Sequence, residues 1–132
     1  MNRRNVICGI VTGCAALILS SHVFVSPAAA ASRTVVYISA GDCTYCRRWE
    51  ATEQQSFAAR CAAKGIRFRK VVVQTLRDIR NEKYWPADLK PLLAKFSDMG
   101  GTPRFLLFEN GELRTNAWGI ADWRQAIAPL VQ

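Results

Sequence analysis

Two cysteines three residues apart stand at a junction in this chain. The short, β-branched, apolar run "TVVYIS", Thr34 to Ser39, gives way at "GDCTYC" to a polar stretch of helical periodicity. A buried strand that feeds a helix must belong to a layered structure in which the helix covers a sheet face. The turn between them carries Cys43 and Cys46, which leaves three chemical readings: a redox couple, part of a metal site, or a structural staple.

The rest of the chain continues the alternation. Asp42 is the expected N-cap of the first helix, and Cys46, Trp49, Glu53, Phe57 and Cys61 recur at helix spacing until Gly65 stops it. "RFRKVVV", Arg67 to Val73, reads as a second strand, and a polar stretch without clear pattern follows to Trp85. Pro86 suits a helix start; Leu89, Leu92, Leu93 and Phe96 share one face before Gly100-Gly101, and Pro91 sits early enough to be tolerated. "RFLLF", Arg104 to Phe108, is a third strand, and Asn110-Gly111 predicts a tight hairpin returning through Glu112 to Arg114. Trp123, Ile127 and Leu130 mark a last amphipathic helix that Pro129 disturbs. The order β-α-β-α-β-β-α predicts an α/β fold: two parallel crossovers and a hairpin, giving a mixed four-stranded sheet with helices on both faces.

Residues 1–31 read as an export signal, and residues 32–132 as one domain. Arg3 and Arg4 give a positive start, Val6 to Leu19 is an apolar run, and Ala28 to Ala31 offer small residues for cleavage. A membrane anchor is the alternative, but Ser20, Ser21 and His22 interrupt the apolar span. Val11 to Cys14 has the look of a lipoprotein box with too little before it, and Arg3-Arg4 lacks the flanks of a twin-arginine signal. The expected location is therefore the periplasm by general secretion. Loss of Arg3 and Arg4 takes the formal charge from +8 to 8 − 2 = +6. The basic residues are scattered, as on a solvated surface, which argues against a nucleic-acid partner and is compatible with an acidic protein partner.

The chemistry of the pair follows from its position. A thiolate, not a thiol, attacks a disulfide, and a sulfur at the first turn of a helix is favoured as thiolate by unpaired N–H groups and the helix dipole. Cys43 takes that place, with Arg47 and Arg48 adding positive charge and Asp42 opposing it. Cys46, one turn on, can attack a mixed disulfide at Cys43 and release the product. Structural zinc wants four Cys or His ligands; the mature chain, from which the single His22 is removed with the signal, has only Cys43, Cys46 and Cys61. A staple across three residues restrains the unfolded chain little. Cys61, eighteen residues along the same helix, would stand about 27 Å from Cys43. It is either a buried inert thiol or the source of an intermolecular disulfide.

"CTYC" (Cys43 to Cys46) after the first strand, "GGTP" (Gly100 to Pro103) before the third and "ENG" (Glu109 to Gly111) at the hairpin stand in register with thioredoxin-fold proteins, which the chain resembles across nearly all of residues 33 to 132. "DCTYCRRW" is similar in particular to the small periplasmic thioredoxin-like proteins encoded with sulfur-oxidation enzymes. The resemblance implies that Pro103 is a cis-proline facing the cysteines and that Thr102 offers backbone groups to a substrate segment. Two departures leave the redox potential open. Tyr37 stands where thioredoxin has a buried Asp, six residues before the first cysteine, and Thr44-Tyr45 replaces Gly-Pro, nearer to the Pro-Tyr of glutaredoxin. Glutathione dependence is not implied.

The expectation is an exported thiol-disulfide oxidoreductase. Cys43 and Cys46 are catalytic, Thr102 and Pro103 bind substrate, and no cofactor is needed. It would act as a monomer on a disulfide- or thiol-containing partner protein, with a membrane electron donor if it is a reductant. The rival is a non-catalytic module, such as a Cu(I) or maturation chaperone, that uses the same two thiols as ligands.

Overall fold

The computed structural model describes residues 31–97 and 100–132. Residues 1–30 of the expected export signal, and Asp98 and Met99 at the end of the expected second helix, lie outside the described residues.

Four strands, β1 (Arg33–Ala40), β2 (Ile66–Val73), β3 (Arg104–Glu109) and β4 (Glu112–Trp118), form one sheet in the order β2-β1-β3-β4. β1 and β2 are parallel, with Tyr37 beside Lys70, whereas β3 is antiparallel to both β1 and β4. The fold is α/β with a mixed four-stranded sheet, as the sequence predicts, but the second connection is not a parallel crossover. The register gives the reason. Ala40 pairs with Val73 and Ile38 with Arg104, so the chain re-enters the sheet at the end it left. Asn110 (φ 51°) and Gly111 (φ 81°) make the hairpin, both in the left-handed conformation such a turn demands. β4 outruns its expected end at Arg114 by four residues.

The β1–β2 crossover is two helices, α1 (Thr44–Thr52) and α2 (Gln54–Ala63), where one was expected. Glu53 leaves helical geometry at φ −123°, yet the ladder is bridged by Glu53 N–H to Trp49 O (2.8 Å) and Phe57 N–H to Glu53 O (2.9 Å). The run from Pro86 yields a 3₁₀ turn (Ala87–Leu89) and one short helix, α3 (Lys90–Leu93). Pro91 cannot donate to a ladder begun upstream, so the two pieces do not merge. Leu89, Leu93 and Phe96 are buried all the same. At the C-terminus, α4 (Gly119–Asp122) passes into a π-helical turn (Trp123–Ile127) and a 3₁₀ turn (Ala128–Val131) around Pro129.

Strand alternation divides the core into two layers. Tyr37, Phe68 and Phe105 face Trp49, Phe57 and Trp123 in one aromatic cluster, with ring centroids 4.6 Å apart for Tyr37–Trp49 and 5.4 Å for Trp49–Trp123. α1, α2 and the C-terminal turns therefore cover one face. Arg104 projects to the other, against the ring of Phe96.

Candidate active site

The turn from β1 into α1 is built by short-range bonds. Gly41 N–H donates to Val73 O at 3.0 Å, continuing the parallel ladder by one rung. A Cβ on Gly41 would stand 3.0 Å from the Gln74 carbonyl oxygen, which is why glycine occupies the position. Asp42 is not the N-cap. Its Oδ1 accepts from Leu76 N–H at 3.0 Å, tying the turn to the segment after β2. The cap is Cys43, whose backbone is extended and whose Sγ accepts from Cys46 N–H at 3.1 Å.

Cys43 and Cys46 form a disulfide with their Cα atoms 5.3 Å apart. Both residues are buried, at 4% and 0% exposure, Cys43 being the less fully covered of the two. Arg47 does not stand free beside them: its guanidinium donates to Gly41 O (3.0 Å) and Thr44 Oγ1 (3.1 Å), clasping the turn. Tyr45, between the cysteines, is 68% exposed, a large apolar surface for a side chain without function.

The cysteine helix is anchored underneath by a cluster the sequence reading missed. Glu50, one turn beyond Cys46, accepts at Oε1 from Tyr37 Oη (3.0 Å) and Ser39 Oγ (2.6 Å), and pairs with Lys70 Nζ at 3.1 Å. Burial opposes the ionisation of Glu50, but the hydrogen bonds from Ser39, Lys70 and Tyr37 outweigh it and hold the carboxyl below its ordinary value. Burial pushes the Tyr37 hydroxyl the other way, far above its ordinary value, so it remains a donor. Tyr37, noted as a departure from thioredoxin, thus reaches a carboxylate supplied by α1. The signal available in the sequence was spacing: Tyr37 and Ser39 share one strand face, and Glu50 follows Cys46 by four.

The Thr102–Pro103 peptide bond is cis. Thr102 and Pro103 share a cavity of about 390 Å³ with Tyr45, Trp118 and Ile120, so the loop before β3 and the inter-cysteine dipeptide come together. Thr102 Oγ1 is buried without a partner among the described residues. Pro103 O accepts from Gly119 N–H at 2.9 Å, which fastens the loop to the start of α4; Gly119 has φ 81°, a conformation that favours glycine. Arg104, read from sequence as a strand end, is 2% exposed. Its Nε donates to Gly101 O (3.2 Å) and its Nη1 to Asn116 Oδ1 (2.8 Å), between the rings of Phe96 and Trp118. Cys61 is a buried free thiol in α2, pushed up to about 11 by burial with Arg60 acting against the shift.

No family model matches the chain, and no curated protein resembles it significantly. Among solved structures it is similar to Trxlp from Edwardsiella tarda EIB202 (21% identity, TM-score 0.48, 79% of this chain and 85% of that one). It is also similar to the oxidised thioredoxin of Plasmodium falciparum (18%, TM-score 0.46, 76% and 83%). A third is glutaredoxin 1 of Francisella tularensis complexed with cacodylate (15%, TM-score 0.34, 71% and 91%).

Proposed function

We propose that this chain is an exported thiol-disulfide oxidoreductase that reduces or exchanges a disulfide on a partner protein, with Cys43 as nucleophile and Cys46 as resolving residue. The observation that carries the reading is the disulfide closed across the first turn of α1 with Cys43 Sγ at the N-cap. Reduction by two electrons and two protons leaves Cys43 Sγ where the Cys46 N–H and the helix dipole favour a thiolate. That thiolate attacks one sulfur of the partner disulfide; the other leaves as a thiolate, and a mixed disulfide forms. Cys46, deprotonated, then attacks Cys43 Sγ, the partner's remaining thiolate leaves, and the Cys43–Cys46 bond is restored with two electrons passed to the partner. Thr102 and Pro103 border the cavity in which the partner segment would lie.

Export rests on the pattern of residues 1–31, and "DCTYCRRW" is similar to the motif of the small periplasmic thioredoxin-like proteins encoded with sulfur-oxidation enzymes. The test is the reduction potential of the pair, measured by thiol labelling in graded redox buffers. A potential near about −270 mV makes the protein a reductant fed by a membrane electron donor, and about −120 to −180 mV an oxidant or isomerase. A pair that forms no reversible couple sinks the reading.

A further inference from the structure

Beside the cavity that holds Thr102 and Pro103, across Tyr45, lies a second one of about 220 Å³. Tyr45 and Ile120 border both, so a chain segment laid over Tyr45 would meet one on each side. Their chemistry differs. The first is walled largely by Tyr45, Pro103, Trp118 and Ile120; the second carries Arg48 and Arg124, with Glu53 as its acidic member. Neither guanidinium makes an ion pair among the described residues, whereas Arg69, Lys70, Lys95 and Arg114 each pair with a carboxylate. Trp49 is part of the same lining, and its buried Nε1 has no acceptor among the described residues. Glu53 is the one carboxylate of the lining, against two guanidiniums and the indole N–H, so the pocket keeps a net positive charge and an excess of donors.

We propose that the Arg48–Arg124 pocket takes a carboxylate side chain of the partner, so that the protein selects disulfides flanked by an Asp or Glu. The proposal rests on the oxidoreductase reading and names the substrate class of that site. A flanking acid gains two cations at the rim of a pocket big enough for one side chain, and the effect belongs to recognition, leaving the chemistry at sulfur unchanged.

The test uses the reduced full chain and two cysteine peptides, identical but for Glu or Gln beside the cysteine, each capped as a mixed disulfide with thionitrobenzoate. Attack of Cys43 on the peptide sulfur releases the coloured thiolate, and Cys46 then frees the peptide thiol as the Cys43–Cys46 bond closes. The expected result is a second-order rate constant for release of the coloured thiolate about fivefold higher for the Glu peptide. That ratio should fall to about one in an Arg48→Gln/Arg124→Gln double variant. It should persist in Arg33→Gln/Arg67→Gln, which loses the same charge at the far end of the β1–β2 pair. No Glu preference in the native protein, or equal loss of preference in both variants, overturns the proposal. Failure to exchange with dithiothreitol would instead overturn the oxidoreductase reading, so the two failures are separable.

Discussion

The crossover between β1 and β2 carries thiols at both ends, and they are chemically opposite. At its start Cys43 Sγ sits at the cap of α1 and accepts a backbone N–H from Cys46, its disulfide partner. Near its end Cys61 points into the core from α2, at 0% exposure, with its thiol pushed up to about 11 by burial. Position along one connection, more than residue type, decides what the sulfur can do: unpaired N–H groups favour the anion at the first turn, and an apolar surround forbids it in the core.

The largest expected effect is at the cap. Cys43→Ser should lower exchange with a protein disulfide by at least about a thousandfold, since the thiol that remains at the turn, Cys46, is fully buried. Cys46→Ser should instead accumulate a mixed disulfide with the partner, visible on non-reducing electrophoresis. If Cys43→Ser is the variant that traps, the two roles are reversed.

Alkylation sharpens the contrast itself. Moving a thiol from its ordinary 9.0 to about 11 leaves about a hundredfold less thiolate near neutral pH. In the native reduced chain, iodoacetamide at pH 8 should therefore label Cys61 at least about a hundredfold more slowly than in urea, with Cys43 labelled first. Mass spectrometry of the labelled peptides reads both rates. Comparable native labelling of Cys61 and Cys43 would break the comparison.

The part of this that was legible in the sequence was local. Strand β1, the Cys-Thr-Tyr-Cys turn, the stop at Gly65 and the Asn110-Gly111 hairpin each follow from side chains within a few positions, and each stands where expected. What was not legible depends on partners distant in sequence. The direction of β3 is set by the sheet end at which the chain re-enters, after a segment of 3₁₀ turns and one short helix whose periodicity does not tell at which end it returns. Arg104 is buried because Phe96 and Trp118 flank its guanidinium, and a charged residue at a strand start gives no hint of that. Asp42 looked like the cap because its type favours that place, but Leu76 N–H takes its carboxylate and the sulfur caps instead. The pocket of Arg48 and Arg124 joins residues 76 positions apart.

Glu50 tests whether the turn owes its geometry to the layer below it. Glu50→Gln keeps the shape but removes the charge that Lys70, Ser39 and Tyr37 address, and should cost about 2 kcal/mol at neutral pH. The carboxyl lies below its ordinary 4.5 in the folded protein, so unfolding takes up protons. Its contribution is full above about pH 4.5 and fades as pH falls through the lower folded value. Urea titrations at pH 7 and pH 3.5 should show the gap between native and variant narrowing at acid pH. A constant gap would mean that packing, not charge, is what the variant loses.

The smallest effect belongs to Cys61 and has the opposite pH sense. Cys61→Ala removes a buried sulfur and should cost about 1 kcal/mol at pH 7, through lost burial and a small cavity against Phe57 and its neighbours. Folded Cys61 keeps its proton to about 11, while in the unfolded chain the thiol releases it near 9.0. Between those values the unfolded state binds fewer protons, so the native chain loses stability as pH rises and the alanine variant is spared that loss. The advantage of the native chain over Cys61→Ala should therefore shrink from pH 9 upward, while the reduction potential of the Cys43–Cys46 pair stays where it was. A shifted potential would mean that the two ends of the crossover are coupled through α1 and α2, and the separation drawn from their positions would fail.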